Sequence, residues 1–212
     1  MHRDNRSQVD NALRFLTTIA ITIGLLTSST PSFAQKRTVP RVGHQGILLE
    51  SADYRLRLVT VAAGLSHPWS LALLPDGDIL VTERSGQLRL IQDGVLSPNP
   101  IPGVPPVHAY AQVGLMDVVL HPQFNQNQIL YLTYTKPSPE GPRAALARAR
   151  FHESTLTEVK DIFVSTPWPP ETVAAVSRVA FDHNGILFMT VGGAVLEARD
   201  TGQDPNDYRG KV

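Results

Sequence analysis

One segment type recurs three times in this chain of 212 residues, and it restricts the fold more than any other feature. From Ser70 the chain reads SLALLPDGDILVT, and from Arg178 it reads RVAFDHNGILFMT. Ala72 matches Ala180, Asp76 matches Asn184, Gly77 matches Gly185 and Thr82 matches Thr190. A third copy with a longer turn lies within Ala111 to Thr135, as DVVLHP followed by NQILYLT. Each copy reads as strand, Asx-containing turn and strand. The copies stand roughly 50 residues apart, which is the signature of propeller blades. A blade cannot bury both of its faces alone, so neighbouring blades must stack around an axis.

The segments between the copies fit the same plan. His67 to Gly94 reads as a β-meander, with LALL, ILVTE and QLRLI separated by Pro75-Asp76-Gly77 and Arg84-Ser85-Gly86 and closed by Asp93-Gly94. Tyr54, Leu56 and Leu58 alternate with Arg55 and Arg57, the pattern of a half-buried strand. Propensity alone makes AALARARF helical, because Ala, Leu and Arg are good helix formers. Arg148 and Arg150, however, alternate with Ala147, Ala149 and Phe151, which predicts a strand. IPGVPPV and KPSPEGPR read as loops. Three repeats fall short of the usual ring of about four to eight blades, and the sequence stops at RGKV where a strand is starting. The expectation is an all-β chain in which residues 54–212 form about the first half of a β-propeller, truncated at the C-terminus. Such a fragment exposes an unpaired blade edge and apolar surface, and is expected to be inactive alone.

At the N-terminus, Arg3, Arg6 and Arg14 precede an apolar run from Phe15 to Leu26 and a small-residue stretch ending Ser32-Phe33-Ala34. This is the layout of a signal peptide over residues 1–34, cleaved after Ala34. The run is too short to cross a hydrocarbon layer of roughly 30 Å comfortably. An uncleaved anchor is the alternative, since the lead carries Asp4 and Asp10. In either case the folded part is exported, periplasmic or secreted, with no membrane span in the mature domain. Residues 35–53, with Pro40, Gly43 and Gly46 and no periodicity, read as an extended lead-in. Nineteen basic residues balance nineteen acidic ones, so nothing in the charge points to nucleic acid. The absence of cysteine excludes a disulfide scaffold, thiolate catalysis and thiolate-bound metal.

HPWSLALLPDGDILVTER, AQVGLMDVVLHPQF and SRVAFDHNGILFMTVGG, followed by QDPNDYRGKV, resemble the soluble PQQ-dependent aldose sugar dehydrogenases, the glucose/sorbosone dehydrogenase family. The likeness runs from about Val59 to Val212. It implies a six-bladed propeller with pyrroloquinoline quinone (PQQ) and Ca2+ in a cleft at one end. It further implies oxidation of a sugar or polyol by hydride transfer to the quinone, with electrons passing to an acceptor. In the family a histidine in H-x-G-S-R is the general base, and the aspartate of a Gly-Asp pair orients it. Carried over by position, Gln112 falls on the glutamine lining the cofactor site, where a carboxamide can both donate to and accept from the ortho-quinone edge. The base position is Ala174, within Ala174-Ala175-Val176-Ser177-Arg178. The orienting position is Gly193, within Gly192-Gly193. Both members of the dyad are therefore replaced together, as in a divergent subfamily, and most remaining family contacts to quinone and calcium fall beyond Val212. The alternative is a non-catalytic propeller that binds a carbohydrate or protein partner.

Other candidate residues have plainer readings beside the functional ones. Without the family, Gln112 is a polar residue capping a loop. The seven histidines include no pair at H-x-H or H-x-x-x-H spacing, so no zinc or iron site is expected. His67-Pro68 and His121-Pro122 read as turn structure. Arg178 is the one charge in an apolar strand and calls for a carboxylate or carbonyl partner. Asp200, Asp204, Asn206 and Asp207 lack EF-hand spacing and read as a solvated loop rather than a calcium site. Trp168 is open to two readings, an edge of a sugar cleft or loop packing. A propeller hydrolase of lactonase type needs a metal-carboxylate cluster, for which these residues give no support.

Overall fold

Asp-Gly and Ser-Gly punctuation turns the chain where the pattern requires it, with Gly77 at φ 98° and Gly86 at φ 105°, conformations that L side chains rarely adopt. The computed structural model describes residues 46–168, 176–192 and 201–212. The signal-peptide segment, most of the lead-in, Ala174, Gly193 and Asp200 lie outside the described residues. Strands β3 (Pro68–Leu73), β4 (Ile79–Glu83), β5 (Gln87–Gln92) and β6 (Val95–Leu96) form one four-stranded antiparallel blade in sequence order. Strands β7 (Leu115–Leu120), β8 (Ile129–Lys136), β9 (Arg143–His152) and β10 (Thr155–Val164) form a second, and β11 (Val176–Phe181) pairs with β12 (Leu187–Val191) as the start of a third. AALARARF is thus strand, as its alternation predicts. Part of HPQFNQNQ is a single helical turn, α1 (Phe124–Asn127), closed by Gln128 at φ 54°.

The repeat is visible in the turns as well. Leu74 N–H donates to Asp78 O at 2.8 Å and Gly77 N–H to Leu74 O at 3.0 Å, while Asp182 N–H donates to Ile186 O at 3.0 Å and Gly185 N–H to Asp182 O at 3.1 Å. The carboxylate that caps the turn differs between copies. Asp76 Oδ1 accepts from Asp78 N–H at 3.1 Å. In the later copy Asp182, rather than Asn184, accepts from Asn184 N–H at 2.9 Å and Ile186 N–H at 2.8 Å.

The main core lies between the first two blades. Ala72, Leu74, Leu80, Leu88 and Leu90 pack against Leu115, Val118, Leu130, Leu132 and Tyr134, with Ala145, Ala147 and Ala149 on β9 small enough to let the sheets approach. Each fully buried leucine contributes about 1.5–3 kcal/mol. Ile101, from the Pro-rich crossover, joins this core and extends β5 through a bond from its N–H to Leu88 O at 2.8 Å. Tyr131, Leu146 and Val179 pack the second blade against β11–β12 with Phe181 and Leu187. Leu71, Leu73 and Phe188, on the opposite sides of their strands, are exposed.

Within the lead-in, β1 (Ile47–Glu50) pairs antiparallel with β2 (Arg55–Leu58). One expectation needs correction. Leu56 and Leu58 are not half-buried: the hairpin is exposed along both strands, so its alternation records strand geometry without a core contact.

Tyr134, 1% exposed, donates to Asp161 Oδ1 at 2.7 Å, and Lys136 pairs with the other carboxylate oxygen. Burial first, then the hydrogen bond and charge of Asp161, push its hydroxyl well above the ordinary tyrosine range. The folded-state pKa is raised, so this contribution to stability is complete below about pH 10 and declines as pH rises past the unfolded value. Urea midpoints should therefore fall above pH 10 in the parent. In Tyr134→Phe that fall should shrink, with about 1–2 kcal/mol lost at neutral pH.

Candidate functional site

Gln112 sits at the tip of a two-residue turn. Val113 N–H donates to Tyr110 O at 2.9 Å and Tyr110 N–H to Val113 O at 3.1 Å, with Ala111 at φ 48°. The Gln112 side chain is exposed, while Val113 beside it is 1% exposed. The turn is braced from the first blade, where Arg84 Nη1 donates to Ala111 O and Arg84 O accepts from Leu115 N–H at 3.1 Å. Gly114 makes that approach possible, since a Cβ there would fall inside the contact radius of Arg84 O. The carboxamide is thus held on a fixed turn at the end of the blades where β3, β7 and β11 begin. We call this end the mouth.

Below it the three inner strands repeat one device. β3 is bulged between Pro68 and Ser70, β7 between Leu115 and Val118, and β11 between Val176 and Val179. A bulge draws a backbone group away from its ladder partner. In each blade a threonine hydroxyl on the second strand takes that N–H: Ser70 to Thr82 Oγ1 at 3.0 Å, Asp117 to Thr133 Oγ1 at 2.8 Å, and Arg178 to Thr190 Oγ1 at 3.0 Å. Thr82 Oγ1 also donates to Met116 O at 2.5 Å, joining the first two blades.

The three bulged side chains meet. Ser70 Oγ donates to Asp117 Oδ1 at 2.6 Å, and Arg178 Nη1 reaches Ser70 Oγ at 3.0 Å and Asp117 Oδ1 at 3.1 Å. Asp117 also accepts from Val118 N–H at 3.1 Å and Val179 N–H at 2.9 Å. Arg178 therefore has the carboxylate partner its position in the sequence demands. Its guanidinium carbon also lies 4.5 Å from the ring centroid of Trp69. Sequence reasoning missed Asp117, Ser70 and Trp69. The available signal was a carboxylate inside the apolar run LMDVVL.

The remaining candidates separate. Trp168 is 4% exposed, packed with Val113, Met116, Ala144 and Val191, so it is core rather than an open stacking face. His121 Nδ1 accepts from Gln123 N–H at 3.0 Å, which is turn structure. Asp204 and Asp207 turn to their own backbone, accepting from Asn206 N–H at 2.9 Å and Arg209 N–H at 2.8 Å. The hydrogen bond with the Arg209 side chain, chiefly, holds the Asp207 carboxyl down to about 2. Among the described residues no group of three or more His, Asp or Glu is placed to hold a metal ion, and no helix is long and apolar enough to cross a membrane. Val176 pairs with Val191 at the mouth end of β11–β12.

Residues 65–212 match the glucose/sorbosone dehydrogenase family. Aldose sugar dehydrogenase YliI of Escherichia coli K12 is 36% identical over 152 residues, covering 70% of this chain and 40% of that protein. An uncharacterised protein of Synechocystis, slr1608, is 35% identical over 171 residues, covering 77% and 40%. Among solved structures, the apo-form of the soluble E. coli aldose sugar dehydrogenase aligns with a TM-score of 0.62 and 36% identity, over 69% of this chain and 43% of that one. The PQQ-bound form of aldose sugar dehydrogenase from Streptomyces coelicolor aligns with a TM-score of 0.58 and 27% identity, over 72% and 45%. The chain thus spans 40% of the length of each of these two curated relatives. Matched over most of its length and built from the same blades, this chain belongs to the glucose/sorbosone dehydrogenase family of oxidoreductases and folds as part of a β-propeller.

Proposed function

We propose that the full-length protein binds pyrroloquinoline quinone at the mouth and oxidises a sugar or polyol. The observation that carries this reading is the exposed carboxamide of Gln112, held on a braced turn at the mouth of blades that match the family. A carboxamide can both donate to and accept from a quinone edge, so the described residues fit the quinone in that sense. They do not fit Ca2+, and no step is assigned to it; its ligands, like the remaining blades that would cover Leu71, Leu73 and Phe188, are proposed to lie in further chain. When bound, the quinone would supply the hydride acceptor, with an external electron acceptor to reoxidise it.

Gln112 orients the quinone edge through its amide. The proton released by the substrate hydroxyl needs a base, and the methyl group of Ala174 provides none, so another group must take it. Residues 1–34 would direct the protein to the periplasm or beyond as a signal peptide. Full-length protein supplied with quinone, calcium and a dye acceptor is expected to turn over at least one sugar in a broad panel of aldoses and polyols. Complete inactivity across that panel would contradict the reading. A second reading is a carbohydrate- or protein-binding propeller without turnover, favoured by Ala174 and Gly193 together. Retention on a sugar matrix without quinone binding would select it.

A further inference from the structure

Arg178 stands at the joint of three blades, yet its side chain is 60% exposed, whereas its partner Asp117 is 3% exposed. An exposed arginine contributes little to stability through an ion pair alone. Its geometry serves something more specific. Nη1 is held by Ser70 and Asp117, and the guanidinium carbon lies over the half-buried indole of Trp69, 4.5 Å from its centroid. Trp69 in turn packs on the cluster of Val113, Met116, Ala144, Trp168 and Val191. Val113 is the residue after Gln112, and Val191 stands two residues before Gly193. A continuous packed path therefore runs from Arg178, through Trp69, to the turn that carries Gln112 and to the end of β12.

We propose that the Arg178–Trp69 stack, locked by Asp117 and Ser70, is the positioning element of the mouth: it fixes the Gln112 turn, and so sets ligand affinity there, without touching the ligand. Arg178 is thus a positioning residue. The planar guanidinium is required because it can stack on the indole while hydrogen-bonding in its plane, which an ammonium group cannot do. The affinity half of the proposal rests on the quinone reading above.

The test uses the full chain labelled with 5-fluorotryptophan, the Trp69 resonance being assigned by its loss in Trp69→Phe. Arg178→Lys and Arg178→Gln are compared with the parent. The expected result is a shifted Trp69 resonance in both variants and a quinone dissociation constant raised about tenfold. The urea midpoint of Arg178→Lys should stay at the parent value, which separates positioning from general destabilisation. Unchanged quinone affinity in variants whose Trp69 resonance has moved would overturn the proposal, as would an unmoved resonance. If the parent itself binds no quinone, the reading under Proposed function fails and the positioning role falls with it. If the parent binds and the variants bind equally, only the positioning role falls.

Discussion

Asp117→Ala should lower the stability of the full chain by about 2–5 kcal/mol, because it leaves two buried donors without their acceptor. The carboxylate takes N–H bonds from Val118 and Val179 and side-chain bonds from Ser70 and Arg178. Alanine would leave the Val179 N–H and the Ser70 hydroxyl without an acceptor in a buried joint between blades, and each such loss costs about 1–3 kcal/mol. The Arg178 contact adds little, because that side chain is largely hydrated. Asp117→Asn keeps the shape and one acceptor oxygen and should cost less, about 1–2 kcal/mol. Urea unfolding read by circular dichroism measures both. A loss under about 1 kcal/mol for Asp117→Ala would mean that the inner strands are held by apolar packing alone.

The larger functional effect is expected from rebuilding the dyad. In quinone-loaded full-length protein, Ala174→His with Gly193→Asp should raise kcat by about 10²–10⁴, the usual contribution of a positioned general base. Ala174→His alone should gain less, because an imidazole without an orienting carboxylate samples the wrong tautomer. Gly193→Asp alone should gain nothing. Steady-state rates at saturating quinone separate the three. No gain in the double variant, with quinone affinity intact, would mean that these positions do not correspond to the family's dyad.

Much of the architecture was legible because it depends on local chemistry. The glycines at 77 and 86 announce turns that need positive φ, and alternation at Ala147, Arg148, Ala149 and Arg150 overrode helix propensity correctly. Thr82 and Thr190 match in the repeat, and each accepts an N–H displaced by a bulge. The bulges themselves leave no composition signal, which is why Trp69 was not linked to Arg178. Ser70, Asp117 and Arg178 lie 47 and 61 residues apart along the chain, so only the stacking of blades brings them together. The exposed hairpin β1–β2 shows the opposite failure. Its period-2 pattern reports a strand faithfully, but burial depends on what lies against it, and among the described residues its apolar side chains are exposed.

Gln112 provides the most direct test of whether the mouth is a quinone site. Quinone should be titrated into the full chain in the presence of calcium and followed by its absorbance, beside Gln112→Leu. Saturable binding at one site is expected in the parent. Affinity should be about tenfold weaker in the variant, the equivalent of one good hydrogen bond. No saturable binding by the parent, or equal affinity with and without the carboxamide, would contradict a quinone site at this mouth.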